Sequence, residues 1–281
     1  MRVTLLGTGD TTGTPTVGCD CDTCSLARER DISRTRFSVH VENEHTGESL
    51  LVDVSPDFRT QFLREGVPLP DAAIVTHVHF DHLDGLGNVY RTIDDLAVHA
   101  ANETDPETGE SVAETVERRY DYLARRLEVH HETPGEPFRA AGFEVTLVPV
   151  SHPPLLCYGL RVEEPSPAGE TSGAAVLAIT GDTSYDIPQA SREALSGADL
   201  LLADAIVPAS SCVHHPMGGS HHDEEGVPRT FGTKHMTREG ALQLAEELGA
   251  RRTRLVHLAH FYPADEAFEE PLAVDGEQYD L

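Results

Sequence analysis

Residues 76–82 read THVHFDH and place three histidines and one aspartate within seven positions. Two apolar residues precede the stretch and predict a buried strand, so the polar side chains follow the carboxyl end of that strand. His77 and His79 are separated by one residue, and an extended backbone sends both imidazoles to the same side. Asp81 and His82 follow after a turn. Imidazole and carboxylate without thiolate are typical of a catalytic metal site, and four such ligands in one segment predict two ions rather than one.

The composition is strongly acidic. The chain of 281 residues carries 48 Asp and Glu against 21 Lys and Arg, which gives a formal net charge of -27, and Lys234 is its single lysine. Repulsion among so many like charges destabilises a compact state, whereas concentrated salt screens it within about 3 Å at 1 M. We therefore expect a halophilic protein from a cytoplasm of high ionic strength; the alternative is an ordinary acidic protein. The same charge disfavours loose binding to nucleic acid, which depends on clustered cations.

Length and hydropathy favour one domain outside the membrane. A chain of this length buries one substantial core, and no linker or low-complexity segment divides it, so we expect a single domain over residues 1–281. No run approaches the about 18 apolar residues of a membrane span. Residues 1–10 lack an apolar segment after a basic region, so we expect no signal peptide and a cytoplasmic location.

Three of the five cysteines lie close together in GCDCDTC, residues 18–24, and the other two stand alone. Disulfides between cysteines two or three residues apart are strained, and a reducing cytoplasm opposes them. Cys19, Cys21 and Cys24 therefore predict a structural zinc site in a loop of about residues 18–25, completed by a fourth ligand from elsewhere. Redox-active thiols are the alternative interpretation.

Apolar periodicity predicts strands interleaved with helices, which is typical of a layered α/β fold. Residues 238–248 have helical spacing, with Thr237 as a cap and Gly249 as the stop. Residues 210–233 predict a loop-like, histidine-rich insertion, which is interpreted as a substrate lid, an extra metal site or a solvated loop. Strands are predicted over residues 3–6, 37–42, 49–52, 74–75, 96–99, 143–150, 158–162, 174–179, 200–203 and 253–258, and further helices over residues 57–65 and 111–126.

Four segments bring metal-binding residue types to predicted strand ends, namely THVHFDH, the SHP of residues 151–153, the GDT of residues 181–183 and the VHLAH of residues 256–260. This ordered set resembles the metallo-β-lactamase superfamily. The resemblance implies an αββα sandwich, in which two central mixed β-sheets are flanked by helices, and an active site with two divalent ions, zinc or manganese. By position, the implied ligands are His77, His79 and His152 for the first ion, Asp81, His82 and His257 for the second, and Asp182 as the bridge between them.

The cysteine loop points to one branch of this superfamily. It resembles the loop of the phosphoribosyl cyclic phosphate phosphodiesterases of the carbon–phosphorus lyase pathway, and this implies a structural zinc held by Cys19, Cys21, Cys24 and His260. Hydrolysis of a phosphodiester, with phosphoribosyl 1,2-cyclic phosphate as a candidate substrate, is therefore the leading function. Three alternatives remain: a tRNA 3′-processing-type or other nuclease, a protein similar to that of pyrroloquinoline quinone biosynthesis, and a non-catalytic metal-dependent binding protein.

The segment KHMT, residues 234–237, supplies a further candidate. His235 resembles a phosphate-contacting histidine of the superfamily's phosphodiesterases, and an imidazolium there stabilises developing charge or protonates the leaving oxygen. Asp81 and His235 are therefore the candidate catalytic residues. Thr237 either contacts phosphate or caps the helix that follows it. The expected binding partner is a small phosphate ester. A homodimer is a further hypothesis for the assembly of the chain.

Salt dependence tests the halophilic interpretation. If screening of the -27 net charge stabilises the folded chain, the melting temperature should rise as potassium chloride is raised from millimolar to molar concentrations. Differential scanning fluorimetry across that range is the measurement. A melting temperature that does not change with salt would favour the ordinary acidic protein instead.

Overall fold

The computed structural model describes residues 1–165 and 174–281. The strands in chain order are β1 (Arg2–Gly7), β2 (Ser38–Glu42), β3 (Ser49–Val52), β4 (Ala72–Val75), β5 (Leu96–Ala101), β6 (Leu127–Glu132), β7 (Pro137–Ala140), β8 (Phe143–His152), β9 (Leu155–Glu164), β10 (Ala175–Ile179), β11 (Leu200–Asp204), β12 (Gly219–His222), β13 (Pro228–Phe231), β14 (His235–Met236), β15 (Thr253–Val256) and β16 (Gln278–Asp280). The helices are α1 (Asp22–Arg30), α2 (Phe58–Glu65), α3 (Phe80–Leu83), α4 (Val112–Arg119), α5 (Gln189–Leu195) and α6 (Arg238–Leu248), with short 3₁₀ helices over residues 84–89, 121–123 and 209–214. None of the helices in the described ranges is long and apolar enough to cross a membrane.

Two large mixed sheets form the centre of the molecule. The first has the strand order β16-β1-β2-β3-β4-β5-β6, antiparallel from β16 to β3 and parallel from β3 to β6. The second has the order β15-β11-β10-β9-β8-β7, antiparallel from β7 to β10 and parallel from β10 through β11 to β15. The parallel strands of each sheet therefore direct their carboxyl ends to one edge of that sheet.

The sheets pack face to face, and helices cover their outer faces. On β10, Leu177 and Ile179 belong to the core shared with the first sheet, while Val176 and Ala178 pack in a second cluster with residues of α5 and α6. Successive side chains of a strand point to opposite faces, so a strand buried on both faces is apolar throughout, as AVLAI is. Helices α2 and α4 pack on the first sheet in the same way. The predicted αββα sandwich of two mixed sheets flanked by helices is confirmed.

Several strands end at the same edge of the sandwich, and polar residues follow them. Strand β4 ends at Val75, directly before THVHFDH, and β8 ends at His152. Strand β11 ends at Asp204, and β15 ends directly before His257. Asp182 follows the end of β10. The fold therefore gathers candidate ligands from distant parts of the chain along one edge.

Some predictions about individual elements were wrong. The helix predicted over residues 111–126 ends at Arg119, and the chain continues through a 3₁₀ turn into β6. Strands β6 and β7 were not predicted, because LEVHHE and PFRA are polar and lack a clear apolar alternation. Residues 210–233 are not a simple loop, since β12 and β13 pair there and join β14 in a three-stranded antiparallel sheet. Glycine and proline within that segment hide the strand pattern in the sequence.

Gly85 lets the segment after the histidine motif pack against the chain that follows β3. The Gly85 amide donates to the Val54 carbonyl at 2.8 Å, and the Val54 amide donates to the His82 carbonyl at 2.8 Å. A Cβ built on Gly85 would lie 2.0 Å from the carbonyl oxygen of Ser55. Because the opposing atoms are backbone, no side-chain movement relieves that contact. The close approach fixes the histidine motif against the end of β3.

Gly85→Ala should therefore destabilise the fold by about 1–3 kcal/mol, as overpacking in a buried position typically does. Gly87→Ala is the matched control, since its Cβ would lie 3.6 Å from the Tyr122 hydroxyl, an ordinary contact. Thermal denaturation of both variants beside the wild type measures the difference. Equal melting temperatures for the two variants would contradict this account of Gly85.

Candidate metal centres

The first group of side chains joins the histidine motif to the end of β8. Nε2 of His77 lies 3.0 Å from Nδ1 of His79, and Nε2 of His152 lies 3.4 Å from the same His79 nitrogen. Asp182 completes the group, with Oδ2 3.7 Å from His77 Nε2. Ligand atoms of these four residues all lie within 4.8 Å of one another. The structure therefore brings together the residues implied for the first ion and the bridge.

The second group shares Asp182 with the first. Oδ2 of Asp182 lies 3.3 Å from Nε2 of His82 and 3.2 Å from Nε2 of His257. Oδ2 of Asp81 lies 3.5 Å from His82 Nε2 and 3.6 Å from His257 Nε2. One carboxylate oxygen thus faces imidazoles of both groups, which is the arrangement that a bridging ligand requires.

The donor sets fit divalent ions by distance and by burial. A zinc ion with bonds of about 2.0–2.2 Å to nitrogen and oxygen separates tetrahedral ligand atoms by roughly 3.3–3.6 Å. The separations between Asp182 and its three imidazoles span 3.2 to 3.7 Å. Nε2 of His82 and Nε2 of His257 are buried without a hydrogen-bond partner in the described part of the chain. A buried nitrogen left unpaired is costly, and a metal ion would satisfy both.

The electrostatics of the site favour a bound cation. Burial lowers the pKa of His152 to about 3 and holds the pKa of His77 well below its ordinary value, so both imidazoles are neutral and able to ligate. His257 differs, because burial opposes its charged form but Asp182 and Asp81 raise its pKa to about 9. These carboxylates therefore favour positive charge at His257, which a metal ion would supply in place of a proton.

Asp53, which was not predicted as a site residue, contacts the candidate ligand His82. Its carboxylate accepts a hydrogen bond from Nδ1 of His82 at 2.6 Å and two more from the Thr76 amide and hydroxyl at 2.8 Å each. A carboxylate on the far ring nitrogen fixes the tautomer and leaves Nε2 of His82 for a metal. The sequence signal was an acidic residue directly after strand β3.

Asp204 and Thr11 are two further residues that the sequence did not reveal. The buried Asp204 accepts a hydrogen bond from Nδ1 of His235 at 3.0 Å, and its other oxygen lies 3.7 Å from Nδ1 of His257. Thr11, in the glycine-rich loop after β1, donates its hydroxyl to Oδ2 of Asp81 at 2.7 Å. An acidic residue ending a buried strand was again the signal for Asp204, whereas no pattern marks Thr11.

His235 lies at the site, next to ligands of both groups. Its ring stacks on the His257 ring with centroids 5.1 Å apart and meets the His152 ring edge-on at 4.8 Å. A ring nitrogen of His235 also lies within 4.8 Å of ligand atoms of Asp182 and His257. With Nδ1 bonded to Asp204, Nε2 is the nitrogen that remains available.

Thr237, in contrast, is engaged as a helix cap. It is fully buried, its hydroxyl accepts from the Gly240 amide at 3.1 Å and it donates to the Pro228 carbonyl at 2.8 Å. Helix α6 spans residues 238–248 as predicted and stops at Gly249, whose φ is 63°. Of the two roles considered for Thr237, the geometry supports capping and leaves its side chain no exposed atom for phosphate.

A separate group of three thiols and one imidazole lies at the start of α1. Sγ of Cys19 and Sγ of Cys21 are each 3.4 Å from Nδ1 of His260, and Sγ of Cys24 is 3.5 Å from it. Bonds of about 2.3 Å to sulfur and 2.1 Å to nitrogen in a tetrahedron place these atoms roughly 3.6 Å apart. All five cysteines are free. The donor set and the distances therefore fit a structural zinc ion.

The histidine-rich insertion packs next to the strand that carries His235. Within it, Nδ1 of His221 lies 2.8 Å from the Thr230 hydroxyl, and the His215 ring packs on Phe231 with centroids 4.3 Å apart. Strand β13 of the insertion pairs directly with β14. Among the residues that the structure describes, no group of metal-ligand side chains includes its histidines. The interpretation as an extra metal site therefore has no support.

Comparison with known families agrees with this geometry. Residues 48–258 match the beta-lactamase superfamily domain, a range that contains all seven candidate ligands of the two joined groups. The chain belongs to the metallo-β-lactamase superfamily.

Similar proteins place the chain in the PhnP-like branch of the metallo-β-lactamase superfamily. A crystal structure of a new diphosphatase from the PhnP family is 29% identical, with a TM-score of 0.75 and coverage of 100% of this chain and 97% of that one. Zinc-bound PqqB from Methylobacterium extorquens has a TM-score of 0.75 at 22% identity, with both chains covered to 100%, which shows likeness of fold. Octanoyltransferase of Porphyromonas gingivalis is 30% identical over 274 residues. That match covers 94% of this chain and 47% of the relative, so this chain spans about half its length.

Metal content distinguishes the two kinds of site. We expect the purified protein to hold more than two metal equivalents, one of them a zinc ion that resists mild chelation, because thiolates hold zinc more firmly than imidazole and carboxylate do. Cys21→Ser should lose that zinc and melt at a lower temperature, since the ion would tie the loop to His260. Ser25→Ala, an exposed change in the helix that Cys21 caps, is the control. Elemental analysis before and after dialysis against chelator decides, and a dialysed protein without zinc would rule out the structural site.

Proposed function

We propose that this protein is a binuclear metal-dependent phosphodiesterase that hydrolyses a small phosphate ester, with phosphoribosyl 1,2-cyclic phosphate as the candidate substrate. The observation that carries the proposal is the Asp182 oxygen, which lies within 3.7 Å of imidazoles from both ligand groups. A ligand shared between two ions holds them close together, and such a pair suits in-line displacement at phosphorus. Similarity to a diphosphatase of the PhnP family supports reaction at phosphorus.

Two bound divalent ions would supply Lewis acidity, which activates water at neutral pH and neutralises charge on the phosphoryl group. The chain's own contribution is to hold and orient these ions with side chains that are already assembled. Asp53 fixes the His82 ring, and Thr11 fixes the Asp81 carboxylate. The seven ligands in this proposal are His77, His79, Asp81, His82, His152, Asp182 and His257.

His235 is proposed to act on the substrate rather than on a metal. Asp204 accepts from its Nδ1 and so sets the orientation of the ring, which leaves Nε2 beside the ligand groups. When protonated, Nε2–H would donate to a phosphoryl oxygen or to the leaving oxygen. This gives the chain one group for charge stabilisation or for general acid catalysis.

The charge distribution favours a small anion over nucleic acid. Lys234, the single lysine in a chain of net charge -27, lies directly before His235, and its carbonyl accepts from Nδ1 of His152 at 3.2 Å. A cation in this segment suits an anionic substrate. A nuclease role is less well supported, because so acidic a chain repels the polyanionic backbone of RNA. Similarity to PqqB is a likeness of fold and favours no particular substrate.

Turnover of bis(p-nitrophenyl) phosphate tests the proposed activity. With manganese or zinc added, the wild type should release p-nitrophenol, and His79→Ala or Asp81→Ala should abolish the reaction, because each removes a side chain that holds an ion. Circular dichroism and melting temperature check that the fold is retained, and His45→Ala, at an exposed turn, is the control.

Two other outcomes would contradict the proposed activity or the ligand assignment. A wild-type protein that hydrolyses nothing with manganese, zinc or no added metal would favour the non-catalytic binding protein. Normal turnover in either ligand variant would refute the ligand assignment.

His235→Ala should lower turnover while metal content and melting temperature stay close to those of the wild type. If His235 protonates the leaving group, the loss should be larger for a poor alkoxide leaving group than for p-nitrophenolate, which needs little protonation. The measurement is the ratio of turnover on two such esters, for wild type and variant at one salt concentration. Equal losses on both would limit His235 to phosphate binding, and loss of metal would overturn its assignment.

A further inference from the structure

A second cluster of metal-ligand side chains lies on strands β5 and β6, outside the site described above. Nδ1 of His99 lies 2.7 Å from Oε1 of Glu132, and the His99 and His130 rings stack with centroids 4.6 Å apart. One ligand atom from each of these three residues lies within 4.8 Å of the other two. The side chains of His99 and Glu132 are 7% and 18% exposed, whereas that of His130 is 38% exposed. The cluster is therefore mostly buried and open to solvent on the His130 side.

The pairing of the two strands aligns the cluster. Strands β5 and β6 are parallel, with His99 directly opposite His130. Glu132 lies two residues beyond His130, so its side chain points to the same face of the sheet. Phe138 of β7 also stacks on the His99 ring, with centroids 5.0 Å apart. The His99 ring is thus held between two flat neighbours, and little side-chain entropy remains for it to lose on binding an ion.

We propose that His99, His130 and Glu132 bind a divalent transition-metal ion, with zinc as the expected occupant. Two imidazoles and one carboxylate form a donor set that zinc accepts. The ion takes the place of the hydrogen that Nδ1 of His99 donates to Glu132; the neutral ring then carries its one hydrogen on Nε2, so no net proton is released, and His130 provides the third ligand. Water fills the remaining positions on the exposed side.

Binding requires small local movements and is favoured by the local charge. Bonds of about 2.0–2.2 Å separate neighbouring ligand atoms by roughly 3 Å or more, so the His99–Glu132 pair opens slightly and the half-exposed His130 ring tilts out of the stack. Glu128 lies 3.7 Å from Nε2 of His130 and adds a second carboxylate. In the described part of the chain, neither Glu128 nor Glu132 is ion-paired with an arginine or a lysine. The cluster therefore presents uncompensated negative charge to a cation.

The cluster is separate from the candidate active site. His99 pairs in register with Ile74, three residues before His77, and β6 lies two strands from β4. At about 3.3 Å per residue and about 4.8 Å between strands, the two centres are roughly 10–15 Å apart. A metal ion here would tie the edge strand β6 to β5 without contacting a substrate held at the other centre.

Zinc stoichiometry of the full chain tests the proposal. The wild type, His130→Ala, Glu132→Gln and His131→Ala are dialysed to equilibrium against buffered zinc and analysed for zinc and protein. His131→Ala is the matched control, because His131 points to the opposite face and its Nε2 lies 3.1 Å from Glu117. The wild type and His131→Ala should hold one zinc equivalent more than His130→Ala and Glu132→Gln.

Two further readouts make the result decisive. Circular dichroism should show all four proteins folded, and zinc should raise the melting temperature less in His130→Ala and Glu132→Gln than in the control. Phosphodiester hydrolysis should be the same in all four, so failure of this proposal and failure of the proposed function are distinguishable. Unchanged zinc content in either His130→Ala or Glu132→Gln would overturn the proposal. Equal zinc loss in His131→Ala would also overturn it, because it would show zinc held loosely by surface histidines.

Discussion

The buried carboxylate of Asp182 is the group on which the arrangement of the site depends. It is 3% exposed, and one of its oxygens lies 3.2 to 3.7 Å from imidazoles of His77, His82 and His257. Burying a charge is costly unless nearby groups compensate it. Divalent cations would satisfy the carboxylate and the imidazoles together. The two sheets must therefore hold the ends of β4, β10 and β15 at fixed positions relative to one another. A displaced strand end would leave the charge of Asp182 uncompensated.

Two residues of the site, Asp53 and His257, have strained backbone conformations that their surroundings stabilise. Asp53 and His257 both have φ of 57°, a left-handed conformation that costs non-glycine residues roughly 1–2 kcal/mol. Asp53 is fixed there by three hydrogen bonds to Thr76 and His82. Each strained residue lies directly after a strand of one central sheet. The sandwich thus stabilises conformations that an isolated turn would not retain. These conformations direct the Asp53 side chain to His82 and the His257 side chain to Asp182.

The loop between β1 and α1 links the two candidate metal centres. At one end Thr11 donates to Asp81, and at the other Cys24 accepts from the Thr16 amide at 3.3 Å while its thiol faces His260. His260 follows His257 by three residues, so a single short segment contributes to both centres. A structural zinc that fixes this loop would also fix the position of Thr11. The distance along the chain, 236 residues or more between the thiols and His260, makes this a constraint on the whole fold.

The sequence by itself determined the features that depend on neighbours along the chain. The spacing of THVHFDH requires only a strand followed by a turn, the three thiols lie within six residues, and AVLAI is apolar throughout because both of its faces are buried. The order of the ligand segments was sufficient to indicate the superfamily and its sandwich. Helix α6 was predictable with both ends, since its cap and stop are local.

Only the tertiary structure decided which distant groups meet. Asp53 and Asp204 look like ordinary acids at strand ends, and their importance comes from the imidazole that each contacts after folding. The sequence allowed Thr237 either to contact phosphate or to cap a helix. Its burial and its two hydrogen bonds in the folded chain leave only the capping role. His99 and His130 lie opposite each other because of the register of β5 and β6, and β6 has no strand pattern in sequence. The physical reason is common to these cases: a local pattern reports the conformation of a segment, whereas partners across the fold are set by sheet register and packing, which exist only in the folded chain.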